Sequence, residues 1–524
     1  MKIKPLILRY STSIYILFII FFSLIINQYY AYQGVLPVDS FSTFNAGYDI
    51  LNGSVPFKDY WVLKGIVIDF IQAAFFKFFG ISWFSYALHA SIFNSIFALA
   101  TFYIFKSLGM EVKFAFIYSI LGSILMYPTY GIPFTDHTTA IFCMLSIYSL
   151  ILGINHKKEI FWLIIPLFLF LAFFTKQTPT GYFGILICII TIIFLIKNFE
   201  KKIFFYGFLG VLLPIIISLF YIFSKEIPLQ SIYTQYFLYP ISLGETRIEW
   251  LLPFEFQRFV LRHKLIYIAL SVPIFLLISN LIKNFSSIIK KDNLIFLTLI
   301  GTLIIFITHQ LMTINGLYIF FLIPIFAGFS HIYSKKMRRK KFLINFFLLL
   351  SLISTIYYHH KYISKRDTLI LRNYSMNNSV DASVLSEKLK NLRWLTHHYP
   401  NNPELEIKNL LSSIEVIKSD KRKKMIVTDY QFISVILNIK DNAAARIWWR
   451  HHIYPVVGKN YFDDWKNFLL TKIKDQNIEV IYTIHPLEGE HDIFEGLLSE
   501  KCISKEKLNE ILDIQVFKSC NEFY

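Results

Sequence analysis

The sequence is poor in charge and cysteine, has no internal repeat, and lacks a cleavage signal after its first apolar run. Only 17% of its 524 residues are charged, against 55% hydrophobic and 18% aromatic. Such a mixture excludes an ordinary soluble chain, which would not stay dispersed in water. None of the four cysteines has metal-ligand spacing, which excludes a cysteine-built metal site: Cys143 and Cys188 lie inside apolar runs, Cys502 and Cys520 in a polar tail. The missing repeat weighs against transporters assembled from inverted halves. Lys2, Lys4 and Arg9 precede an apolar run from about Ser11 to Ile26, and no small-x-small site follows, so the run reads as an uncleaved first span. Acidic residues are outnumbered, giving a net charge of +17. The basic residues gather in short clusters between apolar runs, which excludes nucleic acid as the partner and follows the positive-inside bias instead.

Long apolar runs dominate the rest. A helix of about twenty apolar residues crosses hydrocarbon because it satisfies its own backbone where no water can. Such runs predict about eleven transmembrane helices, near 9–28, 84–105, 114–130, 138–154, 160–175, 179–196, 203–223, 265–282, 293–309, 315–333 and 342–358. Lys106 and Lys113, His156-Lys157-Lys158, Lys197 to Lys202, Lys283 to Lys291, and Lys335 to Lys341 occupy alternate loops and mark the cytoplasmic side. The other loops, near 29–67, 130–137 and 224–264, and everything after about 359, are aromatic and mixed in charge. The expected arrangement is a membrane domain over 1–358 and an extracytoplasmic domain over 359–524, with the N-terminus inside, in the cell's inner (plasma) membrane.

The tail is long enough for its own core. Helical periodicity is expected from Val384 to His397 and from Glu404 to Ile417, and strands at Lys424–Thr428 and Ile478–Thr483, which together predict a small α/β domain. Cys502 and Cys520, in an oxidising compartment, are expected to pair.

Chemistry is expected in the external loops. The first has Asp39, Asp49, Asp59 and Lys64; a carboxylate just after a span can deprotonate a hydroxyl held against it. From spacing alone, solvated loop charges or helix caps are the readier reading. The second loop, Tyr130 to His137, contributes Asp136, which a turn would also accommodate. Lys176 follows the fifth span on the outer side, against the charge bias, and calls for a phosphate or carboxylate partner unless it snorkels to the headgroups. Tyr233, Tyr236 and Tyr239, followed by Glu245, Arg247, Glu249 and Trp250, fit either sugar stacking or an interfacial belt. The pairs His359-His360, His397-His398 and His451-His452 would point apart on helices or strands, so none makes a chelate by itself. Trp448-Trp449-Arg450 fits acceptor contact or plain packing.

The run Asp39 … Leu51-x-Gly53-x-x-Pro56-Phe57-x-Asp59 … Lys64-Gly65 … Phe79-Gly80 resembles the first external loop of GT-C glycosyltransferases related to protein O-mannosyltransferases and aminoarabinose transferases. There an Asp follows the first span and a G-x-x-P-Y-x-D turn precedes K-P-P-L. The resemblance reaches to about Glu200, with Tyr318 to Pro324 similar to a late Y-x-L-P-x-x-P. It implies a GT-C-like helix bundle with an external active site, set among membrane lipids. It also implies a polyprenyl-phosphate sugar donor, hexosyl or pentosyl transfer, and a glycan, lipid or protein acceptor. By that resemblance Asp39 is the catalytic carboxylate, Asp136 a second one, and Lys64 the cation on the lipid phosphate; Asp59 in the motif turn and Lys176, from its place against the charge bias, are further candidate substrate-binding residues. Ser40 stands where the family often has Glu, which leaves the use of a divalent metal ion open. Gly65-Ile66 replaces Pro-Pro, so Lys64 is less rigidly framed.

An O-antigen polymerase or ligase would also have many spans, but is expected to rely on external Arg and His. A flippase or transporter requires charge along a path within its spans, and these spans are nearly free of it.

Overall fold

The computed structural model describes residues 3–127, 130–249, 251, 253–313, 318–366, 369–450, 452–487, 494–497 and 502–518. Trp250, His451 and Cys520, singled out above, lie outside the described residues. By packing, the chain divides into two compact units. The first comprises Met1–Tyr30, Ala90–Phe220 and Arg247–Arg366; the second comprises Ala31–His89, Tyr221–Thr246 and Asp367–Tyr524.

Among the described residues each expected span overlaps a helix. Among the described residues, seven helices are long and apolar enough to cross a membrane by length and composition: Thr12–Ala31, Trp83–Ser107, Thr135–His156, Gln177–Asn198, Lys201–Ser224, Lys291–Thr313 and Lys340–Ser364. Four shorter apolar helices, Val112–Met126, Glu159–Phe173, Ser271–Lys283 and Ile319–Ser334, take the remaining expected positions. The protein is a multi-pass membrane protein. Runs so rich in Ile and Phe would favour strands in water, but in hydrocarbon a helix closes every backbone hydrogen bond within one segment. Thr135–His156 lies wholly inside the first unit. Elsewhere small residues set the spacing. A Cβ on Gly210 would stand 2.3 Å from the Leu163 carbonyl oxygen, so Lys201–Ser224 and Glu159–Phe173 meet backbone to backbone.

The second unit contains a four-stranded sheet in the order Lys424–Thr428, Val480–Ile484, Leu512–Phe517, Ile503–Lys507. The first two strands are parallel, which requires a crossover and explains the helix Phe462–Asp475 between them; the others pair antiparallel. All five residues of Val480–Ile484 are buried, as suits a central strand. The expected α/β character is therefore present. Glu404–Ile417 falls within the helix Pro403–Ser419, capped by the Asn402 side chain accepting from the Leu405 amide.

Val384–His397 is not the expected helix. It contains 3-10 turns at Ala382–Val384 and Glu387–Leu389 and a short strand at Arg393–Trp394. Leu385, Leu389 and Leu392 are buried, so their spacing reflects turns that each return a leucine to the core. Ser386 is extended and its hydroxyl accepts from the Lys388 amide, and Asn391 takes φ 67°; both break a helix. Cys502 is disulfide-bonded.

Within the same unit, Ala31–His89 forms the helices Pro37–Ser40, Ser42–Leu51 and Val67–Phe79. Phe41 anchors them, with ring centroids 4.7 Å from Phe432, 5.5 Å from Trp83 and 6.0 Å from Trp394.

Candidate functional site

The motif turn explains its own residues. Gly53 follows the helix Ser42–Leu51 at φ +89°, a conformation that side chains resist. Asp59 then closes the turn on itself: its Oδ2 accepts from the Val55 amide at 2.7 Å and its amide donates to the Val55 carbonyl at 2.7 Å. Its carbonyl accepts from Lys472 Nζ. Buried Gln235 holds the turn from the other side, accepting from the Val62 amide at 2.8 Å and donating to the Phe57 carbonyl at 3.2 Å. Tyr236 and Tyr239 are buried edge-on against Phe57 and Trp61, whereas Tyr233 is exposed.

This frame places Lys64 Nζ 3.7 Å from Asp39 Oδ1. The side chains are 33% and 17% exposed, open enough for a ligand to reach both. Such a pair adds little stability. Asp39 sits in the short helix Pro37–Ser40, where the Ser40 hydroxyl accepts from the Leu36 amide and the Ser40 carbonyl from Tyr86.

A second, fully buried cluster lies in the same unit. Asp49 is no solvated loop charge: its Oδ2 is 2.8 Å from Arg446 Nη1, which is also 2.7 Å from Asp441 Oδ2. Asn45 donates to Asp441 at 2.7 Å and accepts from Ser434 at 2.7 Å. The guanidinium lies over the Tyr60 ring, 4.1 Å from its centroid. The carboxylates and Tyr60 raise the pKa of Arg446 against the opposing effect of burial. Asp69, on Val67–Phe79, was not singled out from the sequence. Burial pushes its carboxyl up to about 8, with Arg446, Thr43 and Lys64 pulling the other way. One acid in a largely apolar helix was the available signal.

In the first unit, Asp136 and Lys176 meet. Lys176 Nζ is 2.5 Å from Asp136 Oδ1, and His309 Nε2 lies 3.1 Å from the same oxygen. Asp136 opens the helix Thr135–His156, Lys176 caps Gln177–Asn198, and His309 lies near the end of Lys291–Thr313. Exposure is 3% for Asp136, 17% for Lys176 and 1% for His309. Charges this deep persist because they are paired and hydrogen-bonded. His309 went unnoticed in the sequence, where a single His inside an apolar run was its only mark.

His397 and His398 depart from expectation, with ring centroids 3.8 Å apart. They occupy a bend rather than a helix or strand, so the alternation rule does not govern them. Burial and the neighbouring His397 push His398 down to about 4. Trp448 is buried against Tyr454 and Trp465. Among the described residues no three His, Cys, Asp or Glu side chains gather as a group that could hold a metal ion.

No family profile and no curated protein sequence matches the chain. Among solved structures it is similar to ArnT from Cupriavidus metallidurans bound to undecaprenyl phosphate, with a TM-score of 0.49 and 10% identity over 96% of this chain and 97% of that one. At that distance, site chemistry is read from this chain's own residues.

Proposed function

We propose that the protein is a membrane glycosyltransferase that moves a hexose or pentose from a polyprenyl-phosphate donor to a hydroxyl of a glycan, lipid or protein acceptor outside the cytoplasm. The observation that carries the reading is the Asp39–Lys64 pair: a carboxylate and an ammonium 3.7 Å apart, both accessible, on the loop whose motif resembles that family. Asp39 takes the acceptor proton as the hydroxyl oxygen attacks the anomeric carbon. The bond from that carbon to the phosphate oxygen breaks, and polyprenyl phosphate leaves with the electron pair. Lys64 stabilises the charge that develops on it. Attack opposite the leaving group inverts the anomeric configuration.

Asp59 is engaged within its own turn, which favours a role in shaping the loop. Asp136 is less accessible than Asp39 and already holds Lys176 and His309, which favours a positioning role over proton transfer. Lys64→Ala should weaken donor binding about tenfold to a hundredfold, as expected for a lost charge-assisted contact, and should also slow turnover. Lys64→Arg should recover part of both. Donor affinity measured separately from turnover in purified protein tests this; unchanged affinity in Lys64→Ala would remove the lysine from the donor site.

The reading also requires the motif loop outside. Lys335 to Lys341 contains six positive charges in seven residues and should stay cytoplasmic. A periplasm-active reporter fused after Asn373 is expected to be active and one fused at Arg339 silent; the reverse pattern would overturn the external site.

A further inference from the structure

Within the second unit, the motif turn is held by residues far along the chain. The Trp61 amide donates to the Ala444 carbonyl at 2.8 Å, and the Arg446 guanidinium lies over the Tyr60 ring. The helix Phe462–Asp475 carries Trp465, Phe468 and Lys472 at three-and-four spacing, which puts them on one face. The first two place their rings 5.5 and 5.7 Å from that of Trp61. Lys472 is only 8% exposed, and its Nζ donates to the Asp59 carbonyl.

A lysine is a costly choice there. An aliphatic residue at 472 would pack the same face without taking an ammonium out of water. What the ammonium adds is a hydrogen bond to one chosen carbonyl. That carbonyl belongs to the residue whose side chain and amide already close the turn on Val55. Beyond Asp59 the backbone is held at Trp61 by Ala444 and at Val62 by Gln235, whose Oε1 accepts from the Val62 amide at 2.8 Å. Lys64 follows two residues later, and after it comes Gly65, which gives the next stretch of backbone wide freedom. Order at Lys64 has to enter from the Asp59 side.

We propose that Lys472 is a positioning residue for the donor site: by pinning the Asp59 carbonyl it holds the motif turn in the geometry that presents Lys64 to the donor phosphate. This role rests on the reading of Lys64 as the cation on that phosphate. It gives the helix Phe462–Asp475 a part in donor binding as well as in packing.

Lys472→Met keeps the length and burial of the side chain and removes the ammonium, so the thermal midpoint should move little. Arg446 does not suit the test, because its loss strands buried carboxylates. Hydrogen exchange of the full-length protein in detergent, read by mass spectrometry, should be about tenfold faster over 55–62 in Lys472→Met and unchanged in the strand Val480–Ile484. Affinity for farnesyl phosphate, a short polyprenyl phosphate, should fall at least about threefold, with Lys472→Arg recovering part of it. Lys472→Met added to Lys64→Ala should weaken binding no further than Lys64→Ala alone, because one acts through the other. Unchanged exchange over 55–62, or losses that add, would overturn the positioning role while leaving Lys64 on the phosphate. Unchanged affinity in Lys64→Ala would overturn the donor reading itself, and this role of Lys472 with it.

Discussion

Asp39→Asn is expected to leave donor binding intact and to lower turnover about a hundredfold to ten-thousandfold, the usual contribution of a general base. Asn keeps the shape of the side chain and removes its ability to take a proton. The substitution leaves Phe41 and its aromatic contacts untouched, so folding should be spared. Its partner Lys64 is one-third exposed, and water can replace the lost pair at little cost. Turnover with a polyprenyl-phosphate sugar, measured beside donor affinity, decides the matter. Near-normal turnover would move the base elsewhere, with Asp69 next to examine. Its carboxyl, raised to about 8, would be deprotonated only above that pH, so the rate would climb through about pH 8 and Asp69→Asn would abolish the climb.

Arg446→Ala is expected to cost about 3–5 kcal/mol of stability, because it strands buried carboxylates that have lost their cation. Asp49 and Asp441 both contact the same Nη1 of Arg446, and the side chains of all three are at most 8% exposed. Replacing the whole cluster with neutral residues, as Asp49→Asn, Asp441→Asn and Arg446→Met together, should cost much less, since an intact buried ion pair contributes little over a well-packed neutral set. Trp61 and Trp465, 5.5 Å apart in the same unit, provide a fluorescence signal for unfolding. A loss below about 1 kcal/mol in Arg446→Ala would mean that water reaches the carboxylates.

These two clusters differ in how far they could be read before folding. The turn between Asp39 and Lys64 was legible because a motif marks it. Gly53, Pro56 and Asp59 dictate a local geometry that few other residues can make, and that geometry is short-range. Asp49 looked the same as its neighbours on spacing. Its role depends on Arg446, far along the chain in a segment with no motif of its own. Lys176 could be read as needing an anionic partner, because a lone ammonium near hydrocarbon is costly, yet nothing in its neighbourhood named Asp136 or His309. Val384–His397 shows the opposite failure: a helical spacing of leucines was produced by successive turns, which periodicity cannot separate from a helix when extended Ser386 and left-handed Asn391 interrupt it.

The sequence by itself determined the membrane-spanning helices, the strands Lys424–Thr428 and Val480–Ile484, and the motif turn, because each follows from rules that act within a short stretch: backbone satisfaction in hydrocarbon, continuous burial of a central strand, and the φ that glycine permits. The tertiary structure alone decided which charges meet. Arg446 between Asp49 and Asp441, and His309 on Asp136, bring together residues from distant segments. The physical reason is that periodicity specifies which face of an element is buried or apolar but not which element covers it. Paired charges are selected by the large cost of leaving either one alone in a low-dielectric interior, and that cost is set only when the packed segments close around them.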